Sequence, residues 1–270
     1  MGSDFTKRFR GRHTNLVMIL PSGFGLGIPH QNAETDPGYY QRTLDLLKPK
    51  VWLNWKYNFQ HPDCFPQLWK ASWVFKEYQN VLNAGFGDKI WFLSNEAHDP
   101  YQANETPEEC VKAVRFWKEN VGLPCCFPNI KWCTEGINWY REYKRLGGPE
   151  PDAYGVHVYV YSVADMSRIL RTLKNFDLFR EGTPIIVSEC AGFLVYPETQ
   201  NDMMKAIWTA ILFGDIQAAF WFSSMYGKWH KAFLASDCTG IYGAINKVGK
   251  SFKYWATKEE ESTYIPFVVG

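Results

Sequence analysis

Short apolar runs alternate with amphipathic segments along most of the chain, and several of the apolar runs end in polar residues. Apolar runs of this length predict buried strands, whereas apolar positions three and four residues apart predict helices that pack on a sheet. The predicted strands cover residues 14–21, 50–57, 63–69, 89–95, 129–134, 152–160, 184–188 and 217–223. The predicted helices cover residues 37–47, 73–82, 107–120, 137–146, 164–173, 202–213 and 250–257. Regular alternation of strand and helix indicates a parallel sheet.

The number of strands and the chain length together predict the fold class. Eight predicted strands within 270 residues are typical of a closed (β/α)₈ TIM barrel, which usually takes about 250 residues. We therefore predict a single α/β catalytic domain over residues 1–270, with 1–13 as a flexible N-terminal segment. A doubly wound open sheet is the alternative. Residues 22–27 are glycine-rich but lack the GxGxxG spacing of a phosphate-binding turn, so they are predicted to form a plain loop.

Two glutamates follow directly on predicted strands. Glu96 ends the segment KIWFLSNE, and Glu189 ends the segment PIIVSE. The carboxyl ends of barrel strands form the face that carries the active site. A pair of carboxyl groups on that face can hydrolyse a glycoside, because one protonates the leaving oxygen while the other attacks the sugar or activates water. Burial and the second negative charge are expected to raise the pKa of the acid. The alternative is that each glutamate forms an ion pair at the rim.

The composition narrows the class of ligand. The chain has 29 basic and 28 acidic residues, without the basic excess of a nucleic-acid-binding protein. Aromatic residues make up 17% of the chain and include 12 tryptophans, and flat apolar rings are typical of binding clefts. We therefore predict a polysaccharide or oligosaccharide substrate, a monomeric protein, and no nucleic-acid or membrane partner. The first 13 residues lack the apolar segment of a secretory signal, which leaves open both a cytoplasmic location and a secreted protein with a trimmed signal.

Four short segments at predicted strand ends carry a family resemblance. They are LNW at 53–55, FPQLW at 65–69, NE at 95–96 and VSE at 187–189. Together they resemble the clan A glycoside hydrolases and, within that clan, most resemble the small β-1,3-glucanases of glycoside hydrolase family 128. The chain departs from the family at Ala97, where proline follows the glutamate, and at Lys56, where a small polar residue is usual.

The resemblance implies a retaining, endo-acting β-glucanase that favours β-1,3 linkages and uses neither a metal nor another cofactor. It makes Glu96 the general acid/base and Glu189 the nucleophile. Asn95 would donate to the sugar 2-hydroxyl, a contact that strengthens in the transition state. Trp221 would lie under the sugar at the cleavage site. The remaining predicted substrate-binding residues are Asn54, Trp55, Trp69, Glu135, His157, Tyr159 and Tyr161.

Some of these residues allow other readings. His157 and Tyr159 alternate along one predicted strand and therefore face one side, but a histidine there can also be a core residue tied to a carbonyl. Glu135, placed at the end of a predicted strand, could replace either glutamate as a partner. Cys190 could pair with His157 as a thiol nucleophile or simply pack behind the rim.

Two further alternatives concern the whole site. A carbohydrate-binding barrel without hydrolytic power would keep the tryptophans and would not depend on both glutamates. A metal centre at Glu96, His98 and Asp99 is disfavoured, because the segment lacks a second histidine at helical spacing. The chain has 7 cysteines, which we expect to be reduced thiols in or near the core.

Overall fold

The structure is a computed structural model, and it describes residues 18–30, 34, 38–57, 61–87, 89–193, 196–224, 238 and 245–258. The strands are β1 (Gly23–Gly27), β2 (Trp52–Leu53), β3 (Cys64–Phe65), β4 (Gln67–Leu68), β5 (Trp91–Leu93), β6 (Cys125–Cys126), β7 (Ile130–Lys131), β8 (Tyr154–Val160), β9 (Ile185–Gly192) and β10 (Ala218–Trp221). The helices are α1 (Tyr39–Leu47), α2 (Val74–Asn83), α3 (Pro107–Phe116), α4 (Thr134–Arg145), α5 (Val163–Leu173), α6 (Pro197–Leu212) and α7 (Lys247–Thr257). A 3₁₀ turn, Ala71–Trp73, precedes α2.

The strands form two parallel sheets. One has seven strands in the order β3-β2-β1-β10-β9-β8-β7, and the other has three in the order β4-β5-β6. Only Pro66 separates β3 from β4, as expected for a residue that has no N–H to donate to a ladder. A parallel bridge between Cys126 and Ala153 joins the end of β6 to the start of β8. The first strand lies beside the last, so the large sheet is curled, and the α/β class with parallel strands is confirmed.

Alternate residues of the strands face two apolar layers, because successive side chains of a strand point to opposite faces. On β5, Trp91 packs with the residues between sheet and helices. Phe92, its neighbour, packs instead with Leu53 and Phe220 inside the curled sheet. A third, smaller cluster contains Trp55, Ala191 and Phe222 and lies at the carboxyl ends of the strands. The candidate site therefore lies above a packed interior.

The first strand differs from the prediction. The glycine-rich segment predicted as a loop forms β1 itself, whereas Ile19 makes only an isolated bridge to Lys89. A Cβ atom on Gly25 would lie 2.8 Å from the Phe220 ring and from Val51, and one on Gly27 would lie 2.7 Å from the Trp55 ring. The glycines are therefore needed for close packing between β2 and β10, which loop statistics cannot reveal.

Helix ends follow sequence signals in some places and not in others. The N-terminus of α3 is the predicted one, with Thr106 and Glu109 exchanging side-chain to backbone hydrogen bonds in a capping box. The next helix, α4, begins at Thr134, three residues before the predicted start at residue 137. No helix in the described part of the chain is long and apolar enough to cross a membrane. The predicted flexible segment 1–13 lies outside the described residues.

Candidate active site

Glu96 and Glu189 lie side by side at the carboxyl ends of the strands. Glu96 comes three residues after the end of β5, and Glu189 lies within β9. Both side chains are buried, with residue exposures of 4% and 6%. One oxygen of each carboxylate and one ring nitrogen of His157 all lie within 4.8 Å of one another. The structure thus brings together the two glutamates that the sequence singled out.

His157 lies between the two carboxylates. Its Nδ1 atom is 2.8 Å from Oε1 of Glu96 and 3.5 Å from Oε2 of Glu189. The register of the sheet explains this placement, because His157 on β8 pairs with Lys131 of β7 on one side and with Glu189 of β9 on the other. Lys131, the neighbour of His157 in this register, also contacts the acidic residues. Its Nζ atom lies 3.4 Å from Oε2 of Glu96 and 3.6 Å from Oδ2 of Asp99.

Both oxygens of Glu189 accept hydrogen bonds from aromatic residues. Nε1 of Trp55 donates to Oε1 at 2.6 Å, and the hydroxyl of Tyr159 donates to Oε2. Trp55 follows β2 with a positive φ of 60°, a conformation that is unusual for a bulky residue and that turns its ring towards the site. The carboxylate of Glu189 is therefore fixed in orientation by one group that follows β2 and one group on β8.

The electrostatic environments of the two carboxyls differ. Burial acts to raise the pKa of Glu96, but the hydrogen bond and charge of His157, aided by Lys131, outweigh it and leave that pKa lowered. Burial raises the pKa of Glu189 against the opposing effects of His157, Tyr159 and Trp55. Burial would lower the pKa of His157, but the two glutamates raise it overall. The expectation that the acid, Glu96, has a raised pKa is therefore wrong for the ligand-free protein, because the histidine pairs with it.

The backbone around Glu96 is strained and tightly held. Ser94 and Glu96 have positive φ values of 68° and 50°, which cost of the order of 1–3 kcal/mol each in residues other than glycine. The N–H of Ser94 donates to the carbonyl of Leu68 at 2.9 Å, and that of Glu96 donates to the carbonyl of Asn129 at 3.0 Å. Such strain persists only where the surroundings enforce it and is typical of active sites.

Asn95 lies between these two strained residues and is 3% exposed. Its Oδ1 atom accepts a hydrogen bond from Gln67 at 3.1 Å, and its Nδ2 donates to Gln102 at 3.3 Å. Gln67 thereby fixes the orientation of the amide, which leaves one N–H of Nδ2 for a further acceptor. The predicted contact of Asn95 with a sugar hydroxyl remains a prediction.

The prediction for Trp221 is wrong. Its side chain is fully buried and packs edge-on against Phe24 at 6.3 Å between the sheet and the helices. The pairing of β10 with β9 shifts register between Ala219 and Trp221, so that Trp221 lies opposite Cys190. The next residue, Phe222, is the one whose ring joins the cluster at the strand ends, 5.5 Å from the ring of Trp55.

Asn54 and Glu135 also differ from their predicted roles. Asn54 is 1% exposed, donates to the Tyr40 hydroxyl at 3.1 Å and accepts from the N–H of Lys56 at 3.1 Å. It therefore braces the end of β2 instead of facing a ligand. Glu135 does not end a strand, because β7 stops at Lys131 and Glu135 is an exposed residue in the first turn of α4.

The thiol reading of Cys190 is wrong. The side chain is fully buried on the helix-facing side of β9, and its Sγ donates to the carbonyl of Phe220 at 3.3 Å. Burial raises the pKa of this thiol well above its ordinary value. A buried thiol held in its protonated form is a poor nucleophile, so Cys190 is a packing residue.

The predicted aromatic platforms occupy different depths. Trp69 is half-buried and packs against the cluster that contains Trp55 and Phe222. Tyr161 is 69% exposed, and its ring lies 5.3 Å from that of Phe193. The ring of Phe193 in turn lies 5.2 Å from that of Tyr159. Tyr159, Phe193 and Tyr161 form a continuous row of rings, which we call the aromatic ledge, leading outward from Glu189.

Four contributors to the site were not predicted, namely Gln67, Lys131, Phe193 and Phe222. Lys131 carried a signal, since it lies on a predicted strand next to the one that bears His157 and parallel strands align their ends. Gln67 lies within the FPQLW segment and could have been suspected, because a polar residue inside a buried strand needs a partner. Phe193 and Phe222 carried none, because an isolated phenylalanine is usually a core residue.

The same three atoms could also bridge a metal ion, given their mutual distances. The surrounding groups oppose it. Trp55 and Tyr159 already direct hydrogen atoms at both oxygens of Glu189, and the ammonium of Lys131 lies 3.4 Å from Glu96. Hydrogen-bond donors and a fixed cation stabilise the charges of the two carboxylates without a metal ion, and this leaves both carboxyls available for acid/base and nucleophilic catalysis.

Two buried carboxylates at strand ends, close together and oriented by donors, are the arrangement that glycoside hydrolysis requires. Comparison with known proteins agrees with this class: a family model described as glycosyl hydrolase catalytic core matches residues 39–252. This range is more than half of the chain, and the protein belongs to the glycosyl hydrolase catalytic-core family. No curated protein matches the chain by sequence.

Solved structures share the fold at low sequence identity. An exo-β-1,3-glucanase of glycoside hydrolase family 128, subgroup VI, from Aureobasidium namibiae has a TM-score of 0.70 and 18% identity, over 86% of this chain and 96% of that one. A subgroup I endo-β-1,3-glucanase from Amycolatopsis mediterranei, in complex with laminaritriose, has a TM-score of 0.65 and 16% identity, over 86% and 98%. A curdlan-specific subgroup III exo-β-1,3-glucanase from Blastomyces gilchristii, in complex with glucose, has a TM-score of 0.65 and 18% identity, over 86% and 99%.

Proposed function

We propose that this glycoside hydrolase is a retaining endo-β-1,3-glucanase with Glu189 as the nucleophile and Glu96 as the general acid/base. The observation that carries the proposal is the distance between the carboxylates, whose nearest oxygens lie within 4.8 Å. Retaining enzymes hold their two carboxyls about 5–5.5 Å apart, whereas inverting enzymes leave about 6.5–9.5 Å for a water. The same short distance argues against a barrel that only binds sugar.

Glu189 attacks the anomeric carbon and forms a glycosyl-enzyme intermediate. Trp55 and Tyr159 prepare it for this step, because each donates to one oxygen of the carboxylate and thereby fixes its direction while stabilising its charge. Burial makes the same carboxylate a stronger nucleophile, since it is poorly solvated. Water, activated by Glu96, then hydrolyses the intermediate.

The proton for the leaving oxygen is carried by His157 in the ligand-free protein. The 2.8 Å hydrogen bond between its Nδ1 and Oε1 of Glu96 allows the proton to pass to Glu96 when a bound sugar excludes water and disfavours the charged pair. This transfer leaves the net charge of the cluster unchanged. It produces a neutral acid at Glu96 while Glu189 remains ionised, which is the state that retaining hydrolysis requires.

The substrate is assigned as a β-1,3-glucan on two grounds of different kinds. The linkage is proposed by analogy with the solved structures of the same fold, which are described as β-1,3-glucanases with both endo and exo action. The aromatic ledge supports endo action, since Tyr161 and Phe193 continue the apolar surface away from Glu189 and can support further sugar units. Asn95 and Trp69 are proposed to contact the sugars nearest to the cleaved bond.

The proposal extends to the architecture. We propose that the two sheets are arcs of one closed (β/α)₈ barrel, because only Pro66 divides β3 from β4 and a bridge joins β6 to the residue before β8. Residues 1–270 then form a single catalytic domain that acts as a monomer on a glycan. It needs no cofactor, no metal, and no nucleic-acid or membrane partner.

A reducing-end assay with β-1,3, mixed-linkage and β-1,4 glucans tests the function. We expect release from the β-1,3 polymer and its loss in Glu189→Gln, with addition of a 2-deoxy-2-fluoro glucoside leaving a covalent sugar on Glu189 in the parent. Oligosaccharide products of several lengths support endo action, whereas glucose alone contradicts it. A label on Glu96 would reverse the two roles, and binding without release from any glucan would indicate a carbohydrate-binding barrel.

A further inference from the structure

A third glutamate, Glu105, is buried close to the catalytic pair and has no part in the chemistry described above. It is 5% exposed, and its carboxylate accepts three hydrogen bonds. The N–H groups of Ala71 and Ser72 donate at 2.9 and 2.8 Å, and the hydroxyl of Ser94 donates at 2.8 Å. The two amides belong to the 3₁₀ turn that precedes α2, whose free N–H groups favour a negative partner.

The main chain of Glu105 is also tied to the segment that carries Glu96. Its N–H donates to the carbonyl of Ala97 at 2.9 Å, and its own carbonyl accepts from Nε1 of Trp139 at 2.9 Å. Ser94, held by the carboxylate, and Ala97, held by the backbone, lie on the two sides of Glu96 in sequence. Glu105 is therefore hydrogen-bonded to both ends of the segment 94–97 and connects it to the 3₁₀ turn that precedes α2.

The positive φ values of Ser94 and Glu96 explain why the segment needs the hydrogen bonds of Glu105. A segment with two left-handed residues relaxes unless its neighbours prevent it, and relaxation would move the carboxylate of Glu96 away from His157 and Lys131. We propose that Glu105 is the positioning residue of the acid/base: its three hydrogen bonds hold the 94–97 segment in its left-handed conformation and so keep Glu96 at the nucleophile. The inference rests on the proposed function of Glu96.

The isosteric substitution Glu105→Gln changes the hydrogen bonds of the side chain without changing its size, so it tests whether these bonds position Glu96. The amide keeps the size of the side chain, but its NH₂ group is a donor and must face one of the three donors that the carboxylate now satisfies. At least one of the three hydrogen bonds is lost, which loosens Glu105 between the 3₁₀ turn and the 94–97 segment and weakens the support for the left-handed conformation. Glu109→Gln is the matched control, since Glu109 also accepts a backbone N–H, that of Thr106 at 2.7 Å, but caps α3 and does not contact the 94–97 segment.

The first measurement follows His157 and does not depend on hydrolysis. The ring nitrogens are titrated by ¹⁵N NMR in the parent, Glu105→Gln and Glu109→Gln, with the His157 signal assigned by its loss in His157→Gln. Because the hydrogen bond of Glu96 helps to raise the pKa of His157, a displaced Glu96 should move the titration midpoint down by about one pH unit in Glu105→Gln and not in Glu109→Gln. An unchanged midpoint in Glu105→Gln overturns the proposal whatever the activity.

The second measurement compares leaving groups. The leaving group of a 2,4-dinitrophenyl glucoside, 2,4-dinitrophenolate, departs without a proton, whereas the sugar hydroxyl that leaves when the polymer is cleaved needs a proton from the acid. For Glu105→Gln we expect kcat/KM to fall by about 10–100-fold on β-1,3-glucan, a smaller fall on the dinitrophenyl substrate, and recovery of the latter with azide, which replaces base-activated water. Equal falls on both substrates would mean that Glu105 is merely structural and would overturn the proposal.

The two proposals fail in different ways. A parent protein that cleaves neither substrate contradicts the proposed function, and the titration of His157 still decides the role of Glu105. If Glu105→Gln does not fold, Ser94→Ala removes one of the three hydrogen bonds and is carried through both measurements. The same directions are expected, with smaller shifts.

Discussion

The indole of Trp55 donates a 2.6 Å hydrogen bond to Oε1 of Glu189, although the two residues are 134 positions apart in the chain. Trp55 was expected to be a flat platform for a sugar. It is instead 7% exposed, and its polar edge points at the proposed nucleophile. The indole of Trp55 therefore provides a hydrogen-bond donor as well as an aromatic ring. A substitution that keeps the ring and removes the donor separates these two contributions.

Trp55→Phe removes the N–H donor and keeps an aromatic ring. Because a donor aimed at a reacting carboxylate stabilises its charge and fixes its direction, we expect kcat/KM on β-1,3-glucan to fall by about 10–100-fold, mainly through kcat. Steady-state kinetics on the polymer measure this.

Trp117→Phe is the control for the loss of an indole hydrogen bond. Nε1 of Trp117 donates to the carbonyl of Leu123, also at 2.6 Å, but in the helical layer and away from the site. We expect this variant to keep the kcat/KM of the parent and to lose only stability. Equal losses of activity in both variants would contradict a specific role for the bond of Trp55 to Glu189.

Tyr159→Phe removes the second donor to Glu189 and is expected to shift the pH profile. The hydroxyl of Tyr159 lowers the pKa of Glu189 against the raising effect of burial, so its removal raises that pKa further. The acidic limb of kcat/KM, which reports ionisation of the nucleophile in the free enzyme, should then move to higher pH by about one unit. Tyr143→Phe, which loses a 2.8 Å bond to the carbonyl of Pro149, should leave the limb unmoved.

The sequence was sufficient to find the two glutamates for a simple physical reason. In a parallel sheet all strands end at one edge, so any polar residue that follows a buried apolar run lies at that edge. Glu96 and Glu189 met this condition, and so did His157 and Tyr159 through their alternation on β8. These inferences needed only strand direction and a period of two residues.

Other features depend on contacts between distant segments and have no local signal. The side of the sheet that Trp221 faces was inferred from the family resemblance, whereas on β10 Trp221 packs against the helices and Phe222 joins the cluster at the strand ends, because successive residues of a strand face opposite sides. Lowering of the Glu96 pKa depends on the distance to His157, 61 residues away, which sequence spacing does not give. Glu135 was misplaced because the start of α4 comes earlier than its apolar pattern suggests.

The opposite faces of Trp221 and Phe222 lead to a paired prediction. Phe222→Leu should weaken substrate binding, because Phe222 presents its ring beside Trp55 at the site, and we expect KM to rise by about tenfold with a smaller change in kcat. Trp221→Phe should leave KM unchanged and reduce the free energy of unfolding by about 1–3 kcal/mol, because Trp221 is buried between sheet and helices. Chemical denaturation of both variants measures the free energy of unfolding, and steady-state kinetics measure KM and kcat. A raised KM in Trp221→Phe alone would restore the original assignment.

Burial of Glu189 should make the free energy of unfolding depend on pH. Burial raises the pKa of Glu189 in the folded protein, so between its ordinary and its raised pKa the unfolded chain has released a proton that the folded chain still holds. The folded state then binds more protons, and its stability falls as the pH rises through this window. Glu189→Gln removes the cost of burying the charge. We expect the variant to be more stable than the parent by about 1 kcal/mol at pH 7 and to show no such gain near pH 4.

Urea unfolding of the parent and of Glu189→Gln at several pH values measures the difference. Glu119→Gln is the control for the loss of a surface carboxylate, since Glu119 is an exposed residue, and the gain of Glu189→Gln is measured relative to it. The sign distinguishes this site from an ordinary ion pair: for Glu96, whose pKa is lowered, the carboxylate stabilises the fold above its ordinary pKa and loses that effect as the pH falls. Glu96→Gln should therefore be destabilised at pH 7. Gains of stability in both variants would mean that His157 does not pair preferentially with Glu96. Losses in both would mean that His157, Tyr159 and Trp55 stabilise the charge of Glu189 by more than burial costs.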